Sequence, residues 1–116
     1  MAEVTVYHNP RCTKSRNSLT YLEEKGVHYD IHLYLEDVLK HEQLREILDK
    51  LEMKPQEVLR KNEAIFKDQF KSKNLTDSEW IDAMIKYPKL MERPIIVSGD
   101  KAVVARPTEK INELFD

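Results

Sequence analysis

The sequence predicts an α/β domain in which a four-stranded mixed sheet is flanked by helices. Two patterns carry the prediction: a strand-helix-strand pattern at the start of the chain, and two apolar runs joined by a turn near its end. Helical patterns fill the middle. With 116 residues, 41% of them hydrophobic, the chain is long enough for one domain with one core.

The first third of the chain predicts strand, helix and strand. The run "VTVYH" is short, β-branched and aromatic, which is typical of a buried strand. After the only cysteine, a helical spacing joins Ser15, Ser18, Leu19, Tyr21 and Leu22. Gly26 favours a left-handed end to that helix. In "HYDIHLYL", apolar Ile31, Leu33 and Leu35 alternate with polar residues, so we expect a second strand, parallel to the first through a right-handed crossover.

Two amphipathic patterns follow. Leu44, Ile47, Leu48 and Leu51 form one face of a helix. Pro55 can begin a short helix that carries Val58 and Leu59 inward.

A second long helix in the middle of the chain begins at a capping box. Thr76 and Glu79 have the spacing of that motif, and Tyr87-Pro88 ends the pattern. Its apolar face contains Trp80, Ile81, Met84 and Ile85. We expect the lysine-rich segment from about Phe66 to Leu75 to be a loop.

The end of the chain predicts a hairpin and a helix. The run "IIVSGDKAVVA" places a turn between two strands. Pro107 and Glu109 begin a final helix with Ile111, Leu114 and Phe115 inward. The order β-α-β, helical insert, β-β-α is that of a thioredoxin-like fold. We expect a single domain over 1–116, with the helical insert at about 38–90.

Composition excludes several classes of protein. The net charge is −2, so we expect no nucleic-acid partner and no anionic membrane partner. No apolar run approaches the roughly 20 residues of a membrane span, and the start of the chain lacks the pattern of a signal peptide, so we expect a cytoplasmic protein. One cysteine cannot form an intramolecular disulfide, and the four histidines have no metal-site spacing. We expect no metal and no bound cofactor.

Cys12 is the first candidate functional residue, because it lies where a strand meets a helix. Unpaired backbone N–H groups and the helix dipole favour a thiolate at a helix N-terminus. Arg11, Lys14 and Arg16 are expected to add positive charge, with His8 as a further candidate, and such surroundings lower a cysteine pKa below about 8.5. A helix N-terminus also binds tetrahedral oxyanions. The alternative is a buried structural cysteine.

Three arginines, Arg60, Arg93 and Arg106, lie at the ends of predicted elements. The guanidinium suits an oxyanion because its planar fork pairs two oxygens at once. Proline follows both Arg93 and Arg106 and fixes the local backbone; if either peptide bond is cis, we expect it to be Arg93-Pro94. The alternative for each arginine is a solvated surface side chain.

Four motifs, "YHNPRCTKSRNSL", "VLRKNE", "MERPIIV" and "ARPTEKI", resemble in this order the glutaredoxin-coupled arsenate reductases, a thioredoxin-fold family with a helical insert. The resemblance covers nearly the whole chain. It implies that Cys12 is the nucleophile, and that the three arginines hold the oxyanion. It also matches His8 to a histidine that helps to keep the thiol ionised. Asn9 and Ser15 become candidates for substrate binding in the loop around the thiolate.

The resemblance implies a mechanism as well. Cys12 attacks arsenate, glutathione acts as co-substrate, and a Cys12-glutathione disulfide is left for glutaredoxin, the protein partner. A single cysteine agrees with this, because a reductase that resolved its own adduct would need further thiols. Ala105 and Thr108 depart from the glycine and proline usual in the last motif, which affects how firmly the Arg106 loop is held.

Other functions share parts of these motifs. A monothiol glutaredoxin also has a C-x-x-S pattern, but it needs no set of three arginines. A low-molecular-weight phosphatase needs arginine at position 18, where this chain has Ser18. A non-enzymatic redox regulator that binds RNA polymerase belongs to the same superfamily, often with a C-x-x-C switch, whereas Ser15 stands at the second cysteine position here.

Overall fold

The computed structural model describes residues 4–115; residues 1–3 and 116, the ends of the predicted domain, lie outside them. The strands are β1 (Val4–Tyr7), β2 (Tyr29–His32), β3 (Ile95–Ser98) and β4 (Lys101–Val104). The α-helices are α1 (Thr13–Glu24), α2 (His41–Leu51), α3 (Ala64–Gln69) and α4 (Asp77–Lys86). Short 3₁₀ helices cover Pro55–Val58, Pro88–Leu90 and Thr108–Leu114.

The chain divides into two compact units. The first contains residues 4–37 and 93–115, and the second is Val38–Glu92, close to the insert predicted at about 38–90. The organisation of 1–116 as a single domain stays a prediction. The helices described between residues 4 and 115 all lack the length and hydropathy that a bilayer crossing requires.

The first unit contains a four-stranded mixed sheet, as the sequence predicts, and the structure gives its strand order as β2-β1-β3-β4. β1 pairs with β2 in parallel, with Val4 opposite Tyr29, and with β3 in the antiparallel direction, with Val4 opposite Ser98. β3 and β4 form the predicted hairpin, in which Gly99 takes a φ of +58° that glycine adopts without steric cost. The fold is therefore thioredoxin-like.

The helix α1 packs on this sheet through a small core. The buried members are Val4, Val6, Leu22, Ile96, Val103, Ala105, Ile111 and Leu114. α1 ends at Glu24, and Gly26, two residues beyond it, has the left-handed conformation that the sequence predicts, with a φ of +73°. There the Gly26 N–H donates to the Glu23 carbonyl and the Val27 N–H donates to the Leu22 carbonyl, the two bonds of a Schellman motif. The core and this cap fix α1, and with it the loop that joins α1 to β1.

The second unit is built on α2 and α4. The predicted faces are buried, with Leu44, Ile47 and Leu48 on α2 and Trp80, Ile81 and Met84 on α4. The capping box is confirmed: the Glu79 N–H donates to Thr76 Oγ1 at 3.2 Å, and the Thr76 N–H donates to Glu79 Oε1 at 2.9 Å.

The expectation of a loop over Phe66–Leu75 is wrong for its first part, because α3 covers Ala64–Gln69. Phe66 and Phe70 are four residues apart, so both side chains lie on one side of the helix. Their rings lie 6.3 and 5.8 Å from the ring of Trp80. The aromatic packing stabilises α3, although the lysine-rich sequence around the two phenylalanines is typical of a loop.

Two other expectations need correction. β2 stops at His32, and Ile31 is 47% exposed, while Tyr34 is buried instead. Ile31 is exposed because β2 is the edge strand of the sheet. The strand stops because the chain turns directly after it, where the backbone N–H groups of Glu36 and Asp37 donate to the Leu33 carbonyl. The final helix is 3₁₀, in which residues three apart share a side. Ile111 and Leu114 are therefore buried, but Phe115 is 45% exposed.

Two isoleucines provide a matched test of this core. Ile111→Ala empties a fully buried position and should lower the free energy of unfolding by about 2–5 kcal/mol. Ile31→Ala removes the same atoms from an exposed edge position and should cost less than about 1 kcal/mol. Urea denaturation measures both, and equal losses would contradict this account of the core.

Candidate active site

The loop between β1 and α1 ends at Cys12, which is the N-cap residue of α1. Asn9 shapes the loop in two ways. Its carbonyl accepts a hydrogen bond from the Cys12 N–H at 3.0 Å, and its Oδ1 accepts one from the Arg11 N–H at 3.0 Å. An asparagine side chain that bonds the backbone two residues on is a turn former. Asn9 therefore turns the chain so that Cys12 starts the helix.

His8 and Ser15 form a buried polar pair behind this loop. His8 Nδ1 lies 2.6 Å from Ser15 Oγ, which also accepts a hydrogen bond from the Asn9 N–H at 3.0 Å. The His8 N–H donates to the His32 carbonyl and extends the pairing of β1 with β2. Ser15 thus connects the first turn of α1 to the end of β1. These contacts also satisfy its hydroxyl group, which is needed because Ser15 is completely buried.

Burial lowers the pKa of His8 below its ordinary value of about 6.5, and the nearby charge of Arg16 lowers that pKa further. The imidazole is therefore neutral near pH 7. A neutral ring protonated at Nε2 can accept a hydrogen bond from the Ser15 hydroxyl at Nδ1. The expectation that His8 adds positive charge beside the thiol is not met near neutral pH; its contact with Ser15 is what links it to the loop.

The thiol of Cys12 is 8% exposed. Burial raises the pKa of this thiol, but four groups outweigh that effect and bring the pKa below its ordinary value. They are the backbone N–H of Ser15, the charge of Arg93, the backbone N–H of Lys14 and the charge of Arg106, in decreasing order of effect. The helix N-terminus therefore acts as predicted.

The charges that act on the thiol come from remote arginines and not from the side chains of Arg11, Lys14 and Arg16. Arg16 instead braces the loop. Its Nη1 donates to the Pro10 carbonyl at 2.8 Å and its Nη2 donates to Thr13 Oγ1 at 3.2 Å. The sequence expectation was right about the sign of the pKa shift and wrong about these three sources.

Arg93 and Arg106 reach Cys12 from the two ends of the β3-β4 hairpin. Arg106 Nη2 lies 3.6 Å from Cys12 Sγ, and Arg106 Nε donates to the Arg93 carbonyl at 2.7 Å. The Ala105 N–H donates to the Pro94 carbonyl at 3.0 Å, so the two arginine loops are joined by main-chain bonds as well. Arg93-Pro94 is cis, as expected from the sequence, and Arg106-Pro107 is cis too.

The Nε of Arg93 is buried and has no hydrogen-bond partner among residues 4–115. A buried guanidinium donor without a partner is costly, so this atom is a candidate contact for a bound anion. Together Cys12, Arg93 and Arg106 place a nucleophile beside two cationic forks. The geometry suits attack by a thiolate on the central atom of an oxyanion.

Arg60 belongs to the second unit, where two carboxylates hold it. Its Nη1 contacts Glu63 Oε1, and its Nε lies 3.6 Å from Glu92 Oε1. The sequence analysis missed both glutamates. A signal was present, because Glu63 lies three residues after Arg60 in "VLRKNE", a spacing at which helical side chains meet, and Glu92 directly precedes Arg93.

The first unit brings six of the seven candidate residues into one loop cluster: Cys12, His8, Asn9, Ser15, Arg93 and Arg106. Within residues 4–115, no three His, Cys, Asp or Glu side chains are arranged to hold a metal ion.

Comparison with known proteins gives a consistent result. A model of the ArsC family matches residues 7–114. The uncharacterized protein YfgD of Escherichia coli is 41% identical over 114 residues, which cover 97% of this chain and 96% of that protein. The arsenate reductase of Haemophilus influenzae is 35% identical over 114 residues, which cover 97% of this chain and 98% of that protein. A solved structure of arsenate reductase from Vibrio cholerae superimposes with a TM-score of 0.91 at 34% identity and covers 96% of each chain. The chain belongs to the ArsC family.

Proposed function

We propose that this protein reduces arsenate to arsenite with the Cys12 thiolate as nucleophile. The observation that carries the proposal is the thiol at the α1 N-terminus, whose pKa is lowered by two backbone N–H groups and by Arg93 and Arg106. Relatives that share about a third of the residues over almost the whole chain are named arsenate reductases. The family and the thiol chemistry therefore support the same reaction.

The first step is attack of the Cys12 sulfur on arsenic(V). A sulfur–arsenic bond forms and one arsenate oxygen leaves as water after protonation. The N–H groups of Lys14 and Ser15 that lower the pKa of Cys12 keep the attacking group ionised before this step. Arg93 and Arg106 balance the negative charge of the arsenate oxygens during it.

The reductant comes from outside the chain, because the protein has one cysteine. Glutathione thiolate attacks the Cys12 sulfur, the electron pair of the sulfur–arsenic bond passes to arsenic, and arsenite leaves. Arsenic is reduced by two electrons and the two thiols are oxidised to a Cys12-glutathione disulfide. Glutaredoxin then attacks the glutathione sulfur and releases Cys12 as the thiolate. A cytoplasmic location suits this scheme, since glutathione keeps thiols reduced there.

The other residues of the cluster have supporting roles in this proposal. His8 and Asn9 position Ser15, whose hydroxyl is engaged by both of them, so Ser15 acts on sulfur and substrate through its backbone N–H. Arg60 is proposed, from the family resemblance, as the third arginine that holds the oxyanion. No cofactor is bound in this scheme.

The reaction is tested by arsenate-dependent NADPH consumption with glutathione, glutathione reductase and glutaredoxin. We expect turnover by the wild type and none by Cys12→Ser, because serine is not ionised at neutral pH. Omission of glutaredoxin alone should stop continued turnover. If the wild type fails while the same glutaredoxin reduces a control disulfide, arsenate is not the substrate.

The two arginines should each matter for binding of the oxyanion. Arg93→Ala and Arg106→Ala should weaken arsenate binding by about 1.5–3 kcal/mol, the usual contribution of a hydrogen bond to a charged group. Binding is measured as the arsenate concentration that halves the rate of Cys12 alkylation. Arg45→Ala, a change on the exposed face of α2, is the matched control and should bind as the wild type does. Unchanged protection in both site variants would remove the anion site.

Variants of two buried serines distinguish the effect of the Ser15 hydrogen bonds on the pKa of Cys12 from the effect of losing any buried hydroxyl nearby. Wild-type Cys12 should be alkylated with a pH midpoint below that of an ordinary cysteine thiol, because the folded surroundings lower its pKa. Ser15→Ala should raise the midpoint by up to about one pH unit, since it removes the bonds that hold the Ser15 N–H against the sulfur. Ser18→Ala removes a buried hydroxyl that donates to the Ser15 carbonyl and should leave the midpoint unchanged. Equal shifts in both variants would refute the role of Ser15.

A further inference from the structure

We propose that Glu63 and Glu92 are positioning residues for Arg60: they hold two of its guanidinium nitrogens and leave the third for the oxyanion. This inference rests on the proposed function, in which Arg60 binds the oxyanion. It assigns a role to two glutamates that the proposed mechanism does not use. Arg60, Glu63 and Glu92 all lie in the second unit.

The contacts of Arg60 define which nitrogens are engaged. Nη1 contacts Glu63 Oε1 and lies 3.5 Å from the Lys89 carbonyl, while Nε lies 3.6 Å from Glu92 Oε1. Nη2 has no hydrogen bond or ion pair with any residue between 4 and 115 and is not among their buried unsatisfied atoms. Two nitrogens of the Arg60 guanidinium, Nη1 and Nε, are therefore engaged, and Nη2 remains available as a donor.

The backbone that carries Arg60 and Glu92 is fixed by a short antiparallel pairing. Leu59 pairs with Met91 in an isolated bridge, the Arg60 N–H donates to the Leu90 carbonyl at 2.7 Å, and the Glu92 N–H donates to the Val58 carbonyl at 2.8 Å. The side chains of Leu59 and Met91 are buried. Because side chains alternate along a strand, Arg60 and Glu92 project to the same side, opposite to this buried pair.

Glu63 is fixed by a different element. It is the N-cap residue of α3, its N–H donates to the Arg60 carbonyl at 3.1 Å, and its carbonyl accepts from the Phe66 N–H. The ring of Phe66 packs against Trp80. The carboxylate that meets Nη1 thus comes from a helix start that the aromatic cluster holds in place.

Burial shows that these contacts differ from an ordinary surface ion pair. The side chains of Arg60, Glu63 and Glu92 are 21%, 25% and 29% exposed, whereas those of the surface pair Arg45 and Glu42 are 59% and 67% exposed. Long side chains that are mostly covered lose less freedom when a ligand arrives, so a held fork binds an anion more strongly than a mobile one.

Charge alone predicts the opposite effect of these glutamates. Two carboxylates and one guanidinium sum to −1, which repels an anion. Glutamine distinguishes the two effects, because its amide oxygen can still accept a hydrogen bond from arginine while the negative charge is gone. Alanine removes both the charge and the acceptor.

The experiment compares Glu63→Ala, Glu63→Gln, Glu92→Ala and Glu92→Gln with the wild type, with Glu42→Ala as the matched control of an exposed Arg–Glu pair three residues apart. Two quantities are measured: the arsenate concentration that half-protects Cys12 from iodoacetamide, and KM and kcat for arsenate reduction. Thermal unfolding midpoints check that each variant folds. If an alanine variant fails to fold, the leucine variant, which is closer in size to glutamate, takes its place, because leucine also removes both the charge and the acceptor.

We expect each alanine variant to raise both the half-protecting concentration and KM about tenfold, with kcat changed less, as when one charge-assisted hydrogen bond is weakened. Each glutamine variant should stay within about threefold of the wild type. Glu42→Ala should behave as the wild type does.

Three results would overturn the inference while the proposed function stands. They are unchanged protection in the alanine variants, tighter arsenate binding in both alanine and glutamine variants, and an Arg60→Ala variant that binds arsenate as the wild type does. A wild type that is neither protected by arsenate nor able to reduce it would instead remove the proposed function and the inference together.

Discussion

The chemistry of the site depends on the backbone N–H groups at the start of α1, which lower the pKa of the Cys12 thiol. A thiol that is 8% exposed would ordinarily stay protonated, because burial disfavours its charged form. The N–H of Ser15, the charge of Arg93, the N–H of Lys14 and the charge of Arg106 together outweigh burial and lower the pKa of the thiol. Two residues hold these N–H groups in position. Asn9 forms the turn before Cys12, and His8 contacts Ser15 and so connects it to the end of β1. The buried His8–Ser15 pair therefore helps to maintain the surroundings that lower the pKa of the thiol.

Sheet order explains how a charge far away in sequence reaches this sulfur. Arg106 is 94 residues from Cys12, yet Nη2 lies 3.6 Å from Sγ. Because β3 pairs directly with β1, the segments flanking the β3-β4 hairpin lie next to the β1-α1 loop. The bond from Arg106 Nε to the Arg93 carbonyl then orients one arginine by the backbone of the other. A change in either loop is expected to affect both guanidinium groups.

The arginines of the candidate site have two different environments. Arg93 and Arg106 form no ion pair with a carboxylate within residues 4–115, so their charge is available to the sulfur and to an anion. Arg60 is paired with Glu63 and Glu92. A guanidinium whose charge is already balanced by carboxylates contributes to oxyanion binding more through an oriented hydrogen bond than through its charge. This difference gives a physical reason to treat the three arginines as unequal, although the family motifs present them alike.

The sequence by itself determined which segments form the strands, the amphipathic faces of α2 and α4, the capping box at Thr76 and the place of Cys12 at a helix start, because each depends on residues close together in the chain. It failed where the outcome depends on partners that are distant in sequence. α3 forms because Phe66 and Phe70 meet Trp80, and Ile31 is exposed because β2 is the edge strand. The sequence placed Arg93 and Arg106 among the candidates for holding an oxyanion, but it assigned the lowering of the Cys12 pKa to Arg11, Lys14 and Arg16 instead of to them. Only the tertiary structure decided that Arg93 and Arg106 act on Cys12, that His8 is neutral, and that two glutamates hold Arg60, since hydrogen bonds and burial between remote segments set all three.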